Sequence, residues 1–204
     1  MLTLQGLILQ NKGVKREPKP NNGLHIYDTL ERKVLPITAS DGQVVRIYCC
    51  GPTVYRDAHV GNLRTFLLSD LVRSTLEFSG LKVKMVQNIT DVGHMSEDFE
   101  EDKMLAQSKL EKRDPYSIAR EYEEKFHKDL ARLNILPAHN YPRASECIEM
   151  MLEHIAKLTE LELAYQGDDS SIYFDSTKFD SYGQLSGNRL DALKPGHRYE
   201  YVED

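Results

Sequence analysis

The feature that most constrains this chain lies between residues 44 and 89. A β-branched and aromatic run of strand length, VVRIYCC, leads into a loop, CGPTVYRDAHVGN, punctuated by Gly51, Pro52 and Gly61. Leu63, Phe66, Leu67 and Leu71 then recur at helical spacing until Gly80, where a helix can stop. Residues 82–89 read as a second strand, with Val83, Met85 and Gln87 on one face. Strand, helix and strand in this order predict a βαβ unit with parallel strands and a right-handed crossover, the opening of a doubly wound α/β domain. Ligands of such sheets bind beyond the carboxyl ends of the strands. The loops at those ends are CGPTVYRDAHVGN and NITDVGHM, the two richest polar stretches of the sequence.

The flanks divide the chain into three stretches. Residues 1–24 form a basic arm, with Lys12, Lys15, Arg16 and Lys19 among prolines and asparagines, and are expected to be flexible. Residues 25–113 hold the βαβ unit. In residues 114–204, Asp114-Pro115 opens a helix with Ile118, Tyr122, Phe126, Leu130 and Leu133 on one face. Pro142 is expected to open another, with Ile148, Met151, Leu152, Ile155 and Leu158 on its apolar side, so that the two make a helical hairpin. A polar turn at 166–170 and the alternating SIYFD suggest a small β element. A two-stranded parallel sheet is not stable alone. The expectation is therefore an open fold, or one half of a larger domain interrupted by an insertion.

Composition excludes several classes. The longest apolar runs of the 204 residues are a few residues, too short for a bilayer. The N-terminus lacks a basic head before a long apolar stretch, so a secretory signal is not expected. Three cysteines make a disulfide framework improbable and point to a reducing, cytoplasmic compartment. A net charge of −6 gives no global attraction to nucleic acid or anionic membrane.

Within the first loop, His59-Val60-Gly61-Asn62 stands just before a helix, where free N–H groups and the helix dipole attract phosphate. Gly61 would let backbone approach a ligand closely. His59 could donate to a phosphate oxygen as charge builds there, although a histidine in this position also serves as a simple cap. Cys50 is a soft metal ligand, a nucleophile or a buried structural thiol. His94, His127, His139 and Cys147 show no metal-ligand spacing around it.

The combination of motifs is more specific than any one of them. CGPTVY, then an H-x-G-N signature, R-T, NITD-V, and later LNILPAHNYPRASECIEMMLEHIAKL resemble the N-terminal catalytic half of the cysteinyl-tRNA synthetases, over roughly residues 24–204. The resemblance implies the first half of a Rossmann-type class I synthetase catalytic domain with a helical and β connective insertion, apparently truncated. It implies activation of cysteine by ATP with Mg2+ to cysteinyl-adenylate and transfer to tRNA-Cys. By the same resemblance His59 and Asn62 are catalytic, and His59, Gly61 and Asn62 meet the ATP phosphates. Gly51 and Thr90 contact the substrate cysteine, and Cys50 is one ligand of a Zn2+ that binds the substrate thiolate. Asn62 stands where the family more often has a second histidine, and the loop after NITD is longer than usual.

The other three zinc ligands, the lysine-rich K-M-S-K-S loop and the anticodon-binding domain of that family have no counterpart in the 204 residues. Lys103-Met104 and Ser108-Lys109 only superficially evoke the lysine loop. The expectations are therefore an N-terminal portion of a ligase, itself inactive in isolation, with a separate second half as a possible partner. The alternative is a short, inactive paralogue that binds nucleotide or tRNA. A third reading, under which the same motifs serve an ATP-dependent ligase joining cysteine to an amino sugar, fits the CGPTVY wording less well.

Overall fold

The computed structural model describes residues 24–93 and 103–187. The basic arm up to residue 23, His94, the acidic run Glu97–Asp102 and the closing segment from residue 188 lie outside the described residues.

A short antiparallel hairpin, β1 (His25–Asp28) and β2 (Lys33–Pro36), precedes the βαβ unit. That unit is present: β3 (Val44–Cys49) and β4 (Lys82–Gln87) pair in parallel, from Val44 opposite Lys82 to Cys49 opposite Gln87. Helix α1 (Val60–Phe78) makes the crossover. Gly80 ends it as expected, with φ +84°, as the Leu81 N–H bonds the Leu76 carbonyl at 3.1 Å and the Gly80 N–H that of Glu77 at 3.0 Å.

The chain also supplies a third strand-like segment, where a helix was expected. From His139 to Ala144 the backbone runs parallel to β4. His139 N donates to Met85 O, Gln87 N to Asn140 O, Ile89 N to Pro142 O and Ala144 N to Ile89 O, all between 2.8 and 3.1 Å. Pro142 does not open a helix. It occupies an edge position, where its missing N–H leaves no ladder bond unmade. The next helix, α4 (Ile148–Glu160), begins only after a 3-10 turn at Ala144–Cys147. The sheet core is thus three parallel segments, which answers the expected instability of two.

Helix α3 (Pro115–Arg132) starts as its sequence predicts. The Asp114 carboxylate caps it by accepting from Ser117 N at 2.8 Å, and Pro115 sits in the first turn. Helix α2 (Lys103–Glu111) carries Lys103-Met104 and Ser108-Lys109, and packs on α3. The hairpin expected of α3 and α4 is replaced by this pairing. The stripe of α3 enters the core instead: Ile118, Ala119, Phe126 and Leu130 cluster with Cys49, Val54, Phe66, Met85 and Ile89. The core therefore runs across residue 113, where the sequence suggested a division. A second cluster holds Val45, Leu76 and Val83 between α1 and the sheet. Beyond it, α4 and the small β5 (Ala164–Gln166) and β6 (Ile172–Phe174) hairpin lie largely exposed.

Candidate active site

Parallel strands release their loops at one end of the sheet, and here the two loops are zipped together. Thr90 N donates to Pro52 O at 3.0 Å and Val54 N to Thr90 O at 3.1 Å, so the CGPTV and NIT segments form a short parallel bridge. Asn88 ties them further. Its Oδ1 accepts from Gly51 N at 2.9 Å and from Tyr48 Oη at 2.8 Å, while its Nδ2 donates to Thr90 Oγ1 at 3.1 Å. Gly51 is obligatory, because a Cβ there would fall on the Asn88 carbonyl oxygen. Partial desolvation raises the largely exposed Tyr48 phenol above its ordinary value, with the nearby Cys50 and Cys49 sulfurs adding to the shift.

The head of α1 is built by a reciprocal cap. Asn62 N donates to His59 Nδ1 at 3.4 Å, and His59 N donates to Asn62 Oδ1 at 3.3 Å. With Nδ1 accepting, the neutral ring carries its proton on Nε2, which is then the donor edge of the ring. A Cβ on Gly61 would lie 2.9 Å from His59 Cε1 and 3.0 Å from Nδ1, so a glycine there lets the ring fold over the helix start. Both reasons for these residues are local: cap chemistry and close approach.

A cleft of about 160 Å³ opens between this loop and α3. Gly51, His59 and Asn62 line it, together with Arg56, Tyr122 and Phe126. Cys50, Gly61 and Thr90 do not line it. Gly61 lies under the His59 ring, and Thr90 is hydrogen-bonded to Pro52 and Val54, which do line it. Tyr122 and Phe126 read in the sequence only as part of an apolar stripe. Their i, i+4 spacing could not say that one side of it faces a cleft. Phe126 meets Phe66 edge-on at 5.2 Å, and Lys125 sits 4.3 Å over the Tyr122 ring.

Behind the NIT loop stands a charge network the sequence did not reveal. Asp91 is fully buried and accepts from Ser145 N at 2.9 Å, Ser145 Oγ at 2.7 Å and Arg120 Nη2 at 3.3 Å. Glu123, also buried, accepts from Arg120 Nη1 at 2.8 Å and from Arg143 Nε at 2.9 Å. Burial would raise the Glu123 carboxyl, but the hydrogen bonds and charges of Arg143 and Arg120 outweigh it and hold the group below its ordinary value. Burial holds the neighbouring His127 below its own. Together these pairs tie the end of β4 to α3 and to the start of the 3-10 turn.

Cys49 matches no role beyond packing: it is buried and accepts from Ser69 Oγ at 2.9 Å. Cys50 presents an exposed thiol at the end of β3. Among the described residues no group of three or more His, Cys, Asp or Glu could hold a metal ion. A tetrahedral zinc site takes about four donors, and the described residues bring no such set together around Cys50. Among the described residues no helix is long and apolar enough to cross a membrane.

An α/β unit whose loops converge at the carboxyl ends of parallel strands, beside a capped helix N-terminus, is the arrangement of the doubly wound class, whose members bind ligands at that end of the sheet. The family described as "tRNA synthetases class I (C) catalytic domain" matches residues 36–204, and the chain belongs to that family. It is 41% identical over 184 residues to the cysteine–tRNA ligase of Thermus thermophilus, covering 89% of this chain and 38% of that protein. It is 39% identical over 191 residues to that of Deinococcus radiodurans, covering 93% and 38%. It is 38% identical over 178 residues to that of Pyrococcus abyssi, covering 87% and 35%. The chain thus spans under two-fifths of the length of these curated relatives.

Proposed function

We propose that this chain carries the nucleotide- and cysteine-binding portion of a cysteine–tRNA ligase, which activates cysteine with ATP and passes it to tRNA-Cys in the cytoplasm. The relatives at about 40% identity support the substrate class. The observation that carries the reading is the head of α1, where a histidine that caps the helix through Nδ1 also lines the cleft. His59 donates from Nε2 to an ATP phosphate oxygen and Asn62 completes the cradle. Gly61 admits the ring, and the helix dipole adds attraction for the anion. Mg2+ arrives with ATP as part of the substrate. Gly51 and Thr90 form the shelf for the amino acid. Cys50 serves as a single thiolate donor to zinc, a metal whose chemistry is to favour a soft sulfur ligand over a hydroxyl. The described residues do not complete the donor set beside it.

Calorimetric titration of ATP with Mg2+ into the chain and into His59→Ala tests the reading. A hydrogen bond to a charged group contributes about 1.5–3 kcal/mol, so the variant should bind roughly tenfold or more weakly. Equal heats for both proteins, or none for either, would remove His59 from a nucleotide site. Cysteine-dependent ATP–pyrophosphate exchange is expected to be absent for the 204 residues alone, because they contain no counterpart of the lysine loop.

A further inference from the structure

Asn88 has no part in the roles assigned above, yet it makes three hydrogen bonds at the place where both loops meet. Its orientation is not a free choice. The Gly51 backbone N–H can only donate, so the atom facing it is the amide oxygen, and the other end of the amide is the donor. That donor meets Thr90 Oγ1, which therefore accepts. A hydroxyl that accepts from Asn88 keeps its own proton for another partner. Among the described residues no acceptor takes that proton.

We propose that Asn88 is a positioning residue of the amino-acid shelf. It locks Gly51 and Thr90 into one unit and turns the Thr90 hydroxyl so that its proton is offered to a hydrogen-bond acceptor on the bound aminoacyl group. This rests on the reading of Gly51 and Thr90 as the cysteine shelf. Asn88 touches the ligand nowhere and acts through Thr90. The same amide fixes Tyr48, so the end of β3, the turn at Gly51 and the NIT loop move together or not at all.

The substitution that isolates the orientation is Asn88→Asp. The carboxylate still accepts from Gly51 and Tyr48, and its shape is retained. Its second oxygen cannot donate, so the Thr90 hydroxyl must spend its proton on that oxygen. Affinities are read by calorimetry on the full 204-residue chain, for ATP with Mg2+ and for cysteinyl-sulfamoyl adenosine, a non-hydrolysable analogue of the adenylate. Asn88→Asp should weaken the analogue by about tenfold, the worth of roughly one hydrogen bond, and leave ATP unchanged. Thr90→Val should do the same, Thr90→Ser should keep wild-type affinity, and the Asn88→Asp/Thr90→Val pair should lose no more than either alone.

Wild-type analogue affinity in Asn88→Asp, equal losses for ATP and the analogue, or additive losses in the pair would each overturn the proposal. Additivity in particular would mean charge repulsion instead of orientation. A ligand-free readout separates this from failure of the shelf itself. In the wild-type chain the Asn88 side-chain amide protons should move in the NMR spectrum when Thr90→Val removes their acceptor. If the wild-type chain ignores the analogue but the amide shifts, the cysteine-shelf reading fails, and with it the ligand half of the proposal. If the amide does not shift, the orientation itself is wrong.

Discussion

Helices α3 and α4 carry the same signal in sequence and meet opposite fates. Both repeat apolar residues every three or four positions along one face. On α3 the stripe is buried, with Ile118 at 0% exposure. On α4 no residue is buried, and Leu152 is 60% exposed. Their ends also match. Each closes with the same paired C-terminal bonds, through Asn134 at φ +57° on α3 and Glu162 at φ +58° on α4. The strained left-handed position falls to an asparagine in the packed helix and to a glutamate in the exposed one. Periodicity states that a helix has an apolar face. It does not state that the described chain provides something to cover it.

The comparison breaks most easily at the buried stripe. Ile118→Ala should destabilise the chain by about 3 kcal/mol, since a cavity opens beneath the sheet, while Leu152→Ala should stay within about 0.5 kcal/mol. Chemical denaturation of both variants checks this, and comparable losses would mean that the α4 face is covered in solution.

Next in size is the buried charge at the end of β4. Asp91→Ala leaves Ser145 N and Oγ without their acceptor and Arg120 with one fewer. The expected loss is about 2 kcal/mol, measured by the same unfolding curves. An equivalent deletion in the exposed region, Asp175→Ala, removes bonds to Thr177 that water can replace, and should be near neutral. Equal effects at the two sites would deny that the network is closed to solvent.

His59→Ala should cost about 1 kcal/mol by losing the cap of α1, a smaller effect than either core deletion. It should be accompanied by the loss of ATP affinity described above. A thermal melt identical to wild type would mean that the cap does not form in solution.

The smallest expected effect is on pH dependence. Both His127 and Glu123 have folded values below their ordinary ones, 6.5 and 4.5. A depressed folded value means that the stability each group contributes is present above the unfolded value and is lost as pH falls toward and through the folded one. Acidification should therefore lower stability in two stages, starting near pH 6.5 for His127 and near pH 4.5 for Glu123. His127→Gln should remove the upper stage and Glu123→Gln the lower. A single stage left unchanged by both variants would place the acid-sensitive groups elsewhere.

Much of the site was legible because its signals are local. Gly61 was visible as a position where backbone approaches closely, Gly51 as a break in the loop, and Gly80 as a helix stop, whereas the approach of Gly51 to the Asn88 carbonyl was not. His59 and Asn62 were visible as the head of a helix, and Asp114-Pro115 as the head of another. Asn88, Asp91, Glu123 and Arg143 were not legible in these roles, because their partners lie 20 to 54 residues away for most of their bonds. The strand at His139–Ala144 was missed for a related reason. Its sequence contains a proline and no alternation, and its extended form is imposed by the carbonyl and N–H groups of β4.

The sequence by itself determined the β3–α1–β4 order, the loops at the carboxyl ends of the strands and the family to which the chain belongs. Those follow from short-range chemistry: β-branched runs, helical spacing, caps and turn residues act within a few positions of one another. The tertiary structure alone decided which apolar stripe is buried, which segment becomes the third strand and how the buried carboxylates are neutralised. These depend on groups brought together from distant parts of the chain, and the energy of a buried contact or charge depends on what stands opposite it and not on its neighbours in sequence.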